Sequence, residues 1–289
     1  MFKSFVKRML PAPAIAFIRL GRQRGLIVAC RQGWRQRALR KVFQANNRNL
    51  PADNFEIRKG MRFNVNPEAR GGFEYFAFLD AEMCEEFDSF LQLSRGRKVL
   101  WDVGALHGIF SMAFCRQNRG RALAFEPSPV ATPVLADQLG RNPDLAIRHH
   151  PSAVGDQRGQ AKFELFWHHA CALGAGESGG PGRVIEVEVV TLDEVLAEAE
   201  PPDTIKIDVE GYEFKVLQGA RRILREFRPL IFLELHPVVL ARWGTPIAEI
   251  HGFLEEFGYR IVDLAGKPVA AEVIEREGLV RRVVCLPPG

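Results

Sequence analysis

After Lys98, short apolar runs alternate with stretches in which apolar residues recur every three or four positions. Such runs are typical of buried strands, and the spacing of three or four is typical of helices with one buried face. Strands that alternate with helices pair in parallel, so the pattern predicts an α/β fold with a doubly wound sheet. The predicted strands are Val99–Val103, Ala122–Phe125, Ala146–His149, Ala161–Phe166, Val184–Val190, Thr204–Val209, Leu230–Leu235, Tyr259–Leu264 and Val280–Leu286. The predicted helices are Ile109–Arg116, Val130–Leu139, Glu213–Arg225 and residues 247–257.

The connections between these elements add detail. The last two predicted strands are joined by about 15 residues with only a short helical piece, which favours an antiparallel closing hairpin. Further upstream, two short strands, Phe55–Arg58 and Arg62–Val65, precede an amphipathic helix over Asp80–Leu93. Residues 174–182, with the sequence GAGESGGPG, are predicted to form a flexible loop.

The start of the chain differs from the rest in charge. Residues 1–60 carry 14 Lys or Arg and two acidic residues, a balance of +12, whereas the remaining residues have a balance of −8. Apolar residues four apart predict a helix over Leu26–Phe43. We therefore divide the chain into a basic, helical extension over residues 1–53 and a main domain over residues 54–289. The extension could pack on the main domain, contact an anionic membrane surface or partner through residues 1–50, or contact nucleic acid.

Composition narrows the class of protein. Of the 289 residues, 47% are apolar and 26% charged, which excludes a disordered chain, a fibrous repeat and a disulfide-framed mini-protein. No run approaches the roughly 18 apolar residues of a membrane span, and no apolar segment ends in a signal-cleavage site. The five cysteines are scattered without a CxxC pair, which favours reduced thiols and a cytoplasmic protein.

A glycine-containing turn follows the first strand of the predicted sheet. Asp102 ends that strand, and Gly104 and Gly108 follow in a DxGxxxG pattern directly before a helix. Gly104 permits a sharp turn with close approach to a ligand, and Gly108 lets the helix begin tight against the sheet. Open α/β sheets bind ligands at this carboxyl edge, but the pattern lacks the GxGxxG of nicotinamide enzymes.

Two further strand ends supply candidate binding groups. Glu126 follows the next strand, 22 residues after Gly104, at a position from which a carboxylate can accept hydrogen bonds from both hydroxyls of a ribose. Ser152 lies in a small polar turn, Pro151–Gly155, that suits the edge of an adenine. Serine also serves there as a simple turn former, so both roles stay open for Ser152.

The segment Asp203–Glu213 brings charged residues to the same edge. Period-two alternation places Lys206 and Asp208 on one face of a strand, and Glu210 and Glu213 follow at the start of a helix. The helix dipole also stabilises an acidic residue at this position, which is a structural explanation for Glu213. Three carboxylates this close together are nevertheless costly unless they bind something.

Taken in order, these segments resemble the FkbM-type methyltransferase family. The match covers about residues 98–265, and its most specific part is IKIDVEGYE at residues 205–213 with VLQGA at residues 216–220. The other matching segments are WDVGA at 101–105, FEP at 125–127, TLD at 191–193 and ELH at 234–236. The chain departs from the family at Leu106 and His107, where the family commonly has Asn and an aliphatic residue.

This resemblance implies a Rossmann-like class I methyltransferase fold, with a seven-stranded, mostly parallel sheet and an antiparallel last strand. The core that binds the nucleotide would span residues 98–265. The resemblance also implies S-adenosyl-L-methionine as methyl donor, and O-methyl transfer to a hydroxyl of a sugar, glycan or secondary metabolite. The expected partner is thus a small-molecule or glycan acceptor.

The resemblance also assigns residues to the cofactor pocket. These are Asp102, Gly104, Ala105, Gly108, Glu126, Pro127, Ser152, Ala153 and Asp208. Glu126 would hold the ribose hydroxyls, while Ser152 and Ala153 would border the adenine. Asp208 would lie beside the methyl donor.

Transfer to oxygen requires a group that takes the hydroxyl proton. His236 is our catalytic candidate, with Asp208 beside it, because period two places Glu234 and His236 on one face of the neighbouring strand. A histidine held by hydrogen bonds at a strand end is the structural alternative. In another variant, Asp208, Glu234 and His236 bind a divalent cation that lowers the pKa of the hydroxyl. Our main interpretation assigns no metal ligands.

Two interpretations from other classes stay open. One is a non-catalytic scaffold with a methyltransferase fold, tethered by its basic extension, although such a scaffold need not keep the glycines and carboxylates described above. The other is a nucleic-acid methyltransferase. The chain lacks the Asn/Asp-Pro-Pro-aromatic motif of amino-methylating enzymes, and its main domain is net acidic. We expect a cytoplasmic location, with or without membrane association through residues 1–50.

Overall fold

The computed structural model describes residues 26–51, 53–166, 169–172 and 183–289. The first 25 residues of the predicted basic extension and the predicted loop over residues 174–182 lie outside the described residues. The chain divides into two compact units, Met1–Asp88 and Ser89–Gly289. The N-terminal unit therefore extends beyond residue 53, and the division into residues 1–53 and 54–289 stays a prediction.

In the N-terminal unit, a helix packs on a short hairpin through phenylalanine side chains. The elements are helix α1 (Leu26–Asn47), strands β1 (Asn54–Arg58) and β2 (Met61–Asn64), helix α2 (Arg70–Glu74), a π-helical turn (Tyr75–Leu79) and helix α3 (Ala81–Leu93), which continues past the end of the unit. The ring of Phe43 lies 4.8 Å from the rings of both Phe55 and Phe78, and all three side chains are buried. The helix predicted over Leu26–Phe43 is confirmed, and it continues to Asn47.

A seven-stranded sheet forms the centre of the C-terminal unit. The strands of this unit are β3 (Val99–Val103), β4 (Arg121–Phe125), β5 (Ala146–His150), β6 (Ala153–Val154), β7 (Gly159–Phe166), β8 (His169–Ala172), β9 (Arg183–Val190), β10 (Thr204–Ile207), β11 (Leu230–Leu235), β12 (Arg260–Asp263) and β13 (Arg281–Leu286). The sheet has the order β12-β13-β11-β10-β3-β4-β5. The run from β11 to β5 is parallel, and β13 is antiparallel to both of its neighbours. This confirms the predicted class I methyltransferase fold.

The strands in the middle of this sheet are buried along their whole length. Every residue of β3, β10 and β11 is buried. Parallel strands covered on both faces are expected to be mostly apolar, and each of these strands has one charged residue as its exception, Asp102, Lys206 or Glu234. Within the described residues, no helix is both long enough and apolar enough to cross a membrane.

The remaining strands form a second sheet in the order β6-β9-β7-β8. In it, β7 runs antiparallel to both neighbours, and Phe163 is paired with Ile185. The sequence predicted strands over Ala161–Phe166 and Val184–Val190, but it did not indicate that they pair with each other outside the main sheet.

The helices of the C-terminal unit connect the strands. They are α4 (Ile109–Asn118), α5 (Ala131–Arg141), α6 (Leu192–Val195), α7 (Glu213–Gln218), α8 (Arg221–Glu226), α9 (Pro237–Arg242), α10 (Ile247–Glu256) and α11 (Ala271–Glu277). The prediction of one helix over Glu213–Arg225 is wrong, because the chain breaks between α7 and α8. A Cβ atom at Gly219 would lie 2.0 Å from the carbonyl oxygen of Gly155. The segments around Gly155 and Gly219 pass so close to each other that only glycine fits at position 219. This close approach also explains why the helix is interrupted there.

Candidate active site

Three neighbouring strands that are otherwise almost entirely apolar each carry one buried charged residue. These are Asp102 in β3, Lys206 in β10 and Glu234 in β11. Lys206 pairs in register with Asp102 across β10 and β3. Burying a charge is costly unless the charge is paired or hydrogen-bonded. Each of these three residues is therefore expected to have polar partners near the edge of the sheet.

The turn after β3 is packed tightly against the end of β10. Gly104 has a φ of +82°, and a Cβ atom there would lie 1.9 Å from the carbonyl oxygen of Asp208. The N–H groups of Gly104 and Ala105 both donate to the carbonyl oxygen of Phe125, each at 3.0 Å. The turn therefore holds the carboxyl ends of β3, β4 and β10 together, and only glycine fits at its first position.

Glu126 closes this turn from the end of β4. Its Oε2 atom accepts the N–H of Leu106 and its Oε1 atom accepts the N–H of Ser128, both at 2.8 Å. Burial raises the pKa of Glu126 to about 7, and the charges of Asp102 and Asp208 act in the same direction, against the two hydrogen bonds. The carboxylate is thus fixed in orientation and keeps further lone pairs for a ligand.

The carboxylate of Asp102 contacts the start of helix α4. Its Oδ2 atom accepts the hydroxyl of Ser111 at 2.7 Å and the N–H of Ser111 at 3.1 Å. Burial raises the pKa of Asp102, while the charge of Lys206 and the Ser111 hydrogen bonds oppose the rise. In this structure Asp102 fixes the first turn of α4 to β3, where the positive end of the helix dipole also favours a carboxylate.

A pocket opens at the edge formed by these strand ends. Its lining residues are Val103, Gly104, Leu106, Phe125, Glu126, Pro127, Ser152, Ala153, Val154, Phe163, Asp208, Val209, Glu210 and Tyr212. Six of the predicted cofactor residues line it: Gly104, Glu126, Pro127, Ser152, Ala153 and Asp208. Ala105, Gly108 and Asp102 are not among the lining residues. Ala105 and Gly108 belong to the turn after β3, and Asp102 contacts the start of α4. Their predicted contact with a cofactor stays a prediction.

The other end of the pocket is charged. Asp208 accepts a hydrogen bond from Nζ of the buried Lys206 at 3.1 Å, and this ammonium also lies 4.4 Å from the ring centre of Phe110. Burial by itself raises the pKa of Asp208. The positive charges of Lys206, His236 and Arg282 outweigh burial and lower that pKa, so Asp208 is an anion at neutral pH.

His236 lies between two glutamates. Its Nδ1–H donates to Oε1 of the fully buried Glu213 at 2.6 Å, and its Nε2 atom lies 3.3 Å from Oε2 of Glu210. Burial alone lowers the pKa of His236, but the hydrogen bond and charge of Glu213, with the charges of Glu210 and Asp208, raise it to about 9. The imidazole is therefore a cation at neutral pH. Its Nδ1 is held by the buried Glu213, and its Nε2 faces Glu210 in the lining of the pocket.

The turn that presents Glu210 has an unusual backbone. Glu210 has a φ of +51° and Gly211 a φ of +101°, and a Cβ atom at Gly211 would lie 2.1 Å from the side chain of Val239. The Gly211 N–H donates to Glu213 Oε1 at 2.8 Å, so the same carboxylate oxygen fixes both this turn and His236. A left-handed backbone conformation is unfavourable for a residue other than glycine. Such strained conformations are common at functional sites.

Asp208, Glu234 and His236 offer ligand atoms within 4.8 Å of one another. The charges around them oppose a cation, because Lys206 already contacts Asp208, and Arg282 donates to Glu234 Oε1 at 2.7 Å. A divalent cation would also have to displace the proton of His236. The three side chains thus have the spacing of a metal site, but Asp208 and Glu234 are paired with protein cations and His236 is itself protonated.

The model of a protein family described as "Methyltransferase FkbM domain" matches residues 102–261, which is more than half of the chain. The chain belongs to the FkbM methyltransferase family. The matched region begins at Asp102, in β3, and ends at Ile261, in β12. It therefore contains every residue that lines the pocket, together with Lys206, Glu213 and His236.

Two relatives match this chain over part of their length. The hexuronic acid methyltransferase AglP of Haloferax volcanii is 27% identical over 140 residues, 48% of this chain and 56% of AglP. The methyltransferase sdnD of Sordaria araneosa is 29% identical over 151 residues, 41% of this chain and 58% of sdnD. The chain thus spans a little over half the length of each. Among solved structures, a methyltransferase FkbM from Methylobacillus flagellatus KT aligns with a TM-score of 0.44 and 18% identity, covering 66% of this chain and 43% of that one.

Sequence reasoning missed part of the site of this FkbM family member. Leu106, Phe163 and Tyr212 line the pocket but were not predicted, because apolar and aromatic side chains give no distinct signal for a pocket in sequence. The sequence placed Glu210 and Glu213 at the start of a helix, where the dipole stabilises acidic residues, but it did not connect either of them with His236. The spacing of Glu213 from His236 along the chain gave no indication that they are in contact.

Proposed function

We propose that this protein transfers a methyl group from S-adenosyl-L-methionine to a hydroxyl oxygen of a sugar, glycan or secondary metabolite. One observation carries the proposal. A pocket at the carboxyl edge of the sheet has Glu126, Asp208 and Glu210 in its lining, and the last two lie beside His236. Membership of the FkbM methyltransferase family supports the reaction class.

The residues of the pocket fit the methyl donor. Glu126 is held by two backbone N–H groups and can accept the ribose hydroxyls with its remaining lone pairs. Ser152 and Ala153, both buried and both in the lining, would border the adenine. The anionic Asp208 would lie near the sulfonium, where its charge is favourable. When bound, S-adenosyl-L-methionine supplies an electrophilic methyl group whose electron pair stays with sulfur.

The proposed proton acceptor is His236. Glu213 holds its Nδ1–H, which leaves Nε2 as the nitrogen that takes a proton from an acceptor hydroxyl. In the present arrangement Nε2 contacts Glu210, so an acceptor hydroxyl has to replace that contact. The imidazole must also have lost its Nε2 proton beforehand, because a pKa of about 9 keeps it protonated at neutral pH.

Aromatic side chains beside the pocket support a sugar as the acceptor. Tyr212, in the lining, has its ring 6.2 Å from that of Phe163 and 6.3 Å from that of Trp243. Trp243 is 40% exposed, so part of its side chain is accessible to an incoming molecule. A pyranose ring presents C–H groups on its faces and hydroxyls at its edge, which suits an aromatic surface next to charged groups. The hexuronic acid methyltransferase AglP is a relative with a related substrate class.

The test is transfer of radiolabel from methyl-labelled S-adenosyl-L-methionine to a panel of uronic acids, other sugars and hydroxylated metabolites. We expect one class of acceptor to be labelled, and His236→Gln to lower turnover at least 100-fold without changing affinity for S-adenosylhomocysteine. His251→Gln, on α10, is the matched control with expected wild-type turnover. Labelling of RNA or DNA instead would support the nucleic-acid alternative. Binding of S-adenosylhomocysteine without any transfer would support the scaffold.

A further inference from the structure

Helix α1 carries apolar side chains on two opposite faces. One face is buried: Phe43 packs on Phe55 and Phe78. The other face is exposed. Trp34 is 74% exposed and Val42 is 56% exposed, eight residues or roughly 12 Å apart along the same side of the helix. The exposed apolar residues therefore do not hold the helix to its own unit.

The exposed residues form a continuous stripe. Trp34, Ala38, Val42 and Ala45 are three or four positions apart and all exposed, so they lie side by side on one face of the helix. We call these four residues the exposed stripe. A large aromatic ring and a β-branched residue facing water without a partner in their own unit are unfavourable for a helix that is otherwise polar on that side.

Basic residues lie along one border of the exposed stripe. Arg37 and Lys41 are exposed and, at 100° per residue, lie within about 60° of Trp34 around the helix axis. Among the described residues, neither Arg37 nor Lys41 has an ion-pair partner. By contrast, Arg35 pairs with Asp88 at 3.1 Å. The sequence of α1 contains no acidic residue, so nothing on the helix offsets these charges.

We propose that this face of α1 binds the surface of an anionic phospholipid bilayer. A helix lies in the membrane interface when apolar residues reach the headgroup boundary and adjacent Lys and Arg contact anionic lipids. Tryptophan is enriched at that depth. Trp34 and Val42 supply the apolar contact, while Arg37 and Lys41 supply the charge.

The chemistry of the stripe favours a lipid surface over nucleic acid. Basic residues alone would suit phosphates of either kind. Alanine and valine side chains gain nothing from a phosphate backbone but are stabilised when they leave water at a bilayer boundary. Because the stripe is short, binding should depend on anionic lipid and should weaken with salt.

The test is flotation of the full chain with vesicles of phosphatidylcholine, with and without 30 mol% phosphatidylglycerol. We expect binding only to the anionic vesicles and at least a tenfold loss on raising the salt from about 0.05 to 0.5 M. Arg37→Glu with Lys41→Glu should weaken binding at least tenfold, and Trp34→Ala should weaken it several-fold.

Matched controls separate this face from overall charge. Lys162→Glu with Lys267→Glu makes the same change in net charge at exposed positions of the C-terminal unit, and Trp243→Ala removes another exposed tryptophan. Both controls should bind anionic vesicles like the wild type. Equal loss in the control and α1 variants, or no vesicle binding by the full chain, would overturn the proposal. So would RNA binding that the α1 variants abolish while vesicle binding persists. Affinity for S-adenosylhomocysteine, measured on the same samples, reports separately on the proposed enzyme function.

Discussion

Among single residues, the site depends on positions where neighbouring backbone atoms leave no space for a side chain. The turn after β3 touches the carbonyl group of Asp208 so closely that Gly104 has no space for a methyl group. The sequence predicted a glycine with a backbone role here, because DxGxxxG follows a strand. It could not show that the neighbour is the backbone of β10, since that contact joins segments about a hundred residues apart.

Gly104→Ala tests this contact. We expect it to destabilise the protein by more than about 3 kcal/mol, because the added methyl group meets backbone and the φ is unfavourable for alanine. Gly140→Ala, in α5 where nothing lies within 4 Å of the added Cβ, should change stability by at most about 1 kcal/mol. Denaturant unfolding measures both. Equal stabilities would show that the turn can relax away from β10.

Glu126 leads to a dependence of cofactor affinity on pH. Its pKa of about 7 in the free protein means that it becomes protonated as the pH falls, and a protonated carboxyl loses acceptor capacity for ribose hydroxyls. We expect affinity for S-adenosylhomocysteine to be about tenfold weaker at pH 6 than at pH 8. Calorimetry on Glu126→Gln should show weaker binding with no such dependence, whereas Glu249→Gln should behave like the wild type. A flat wild-type profile would remove Glu126 from the ribose site.

At the level of helices and strands, the site lies where the connections after β3, β4, β5, β10 and β11 meet at one edge of the sheet. The order of strands and helices was predictable because each has a distinct hydrophobic period. The break between α7 and α8 was not, because it depends on the passage of Gly155 beside Gly219. The contact between Glu213 and His236 also depends on how the elements pack in the fold, so the spacing of the two residues along the chain does not predict it.

The arrangement around His236 predicts how turnover depends on pH. Its neutral form takes the proton, and its pKa is about 9, so the rate should rise about tenfold per pH unit from pH 7 and level off near pH 9. Glu213→Gln removes the main charge that raises this pKa and should move the plateau to lower pH. Turnover of an identified acceptor gives both profiles. A wild-type rate that does not change between pH 7 and 9 would exclude His236 as the base.

At the scale of the whole molecule, the two ends of the chain differ in charge. Residues 1–60 have a balance of +12 and the rest a balance of −8. The pocket lies entirely in the net acidic part, which is unsuited to following a phosphate backbone, whereas the exposed stripe lies in the basic part. This division was visible in composition. The exposed positions of Trp34 and Val42 required the structure, because the same helix also has a buried apolar face.

Calorimetric titration of the full chain with S-adenosylhomocysteine asks whether the pocket at the carboxyl edge binds the methyl donor, as we propose. The titration is done at pH 8, where Glu126 is ionised, with and without magnesium. We predict one site per chain with a micromolar dissociation constant that magnesium does not change. Tighter binding in magnesium would support the cation alternative at Asp208, Glu234 and His236. A folded protein that gives no binding heat, and whose melting temperature S-adenosylhomocysteine does not raise, would rule out this pocket as the site of the methyl donor.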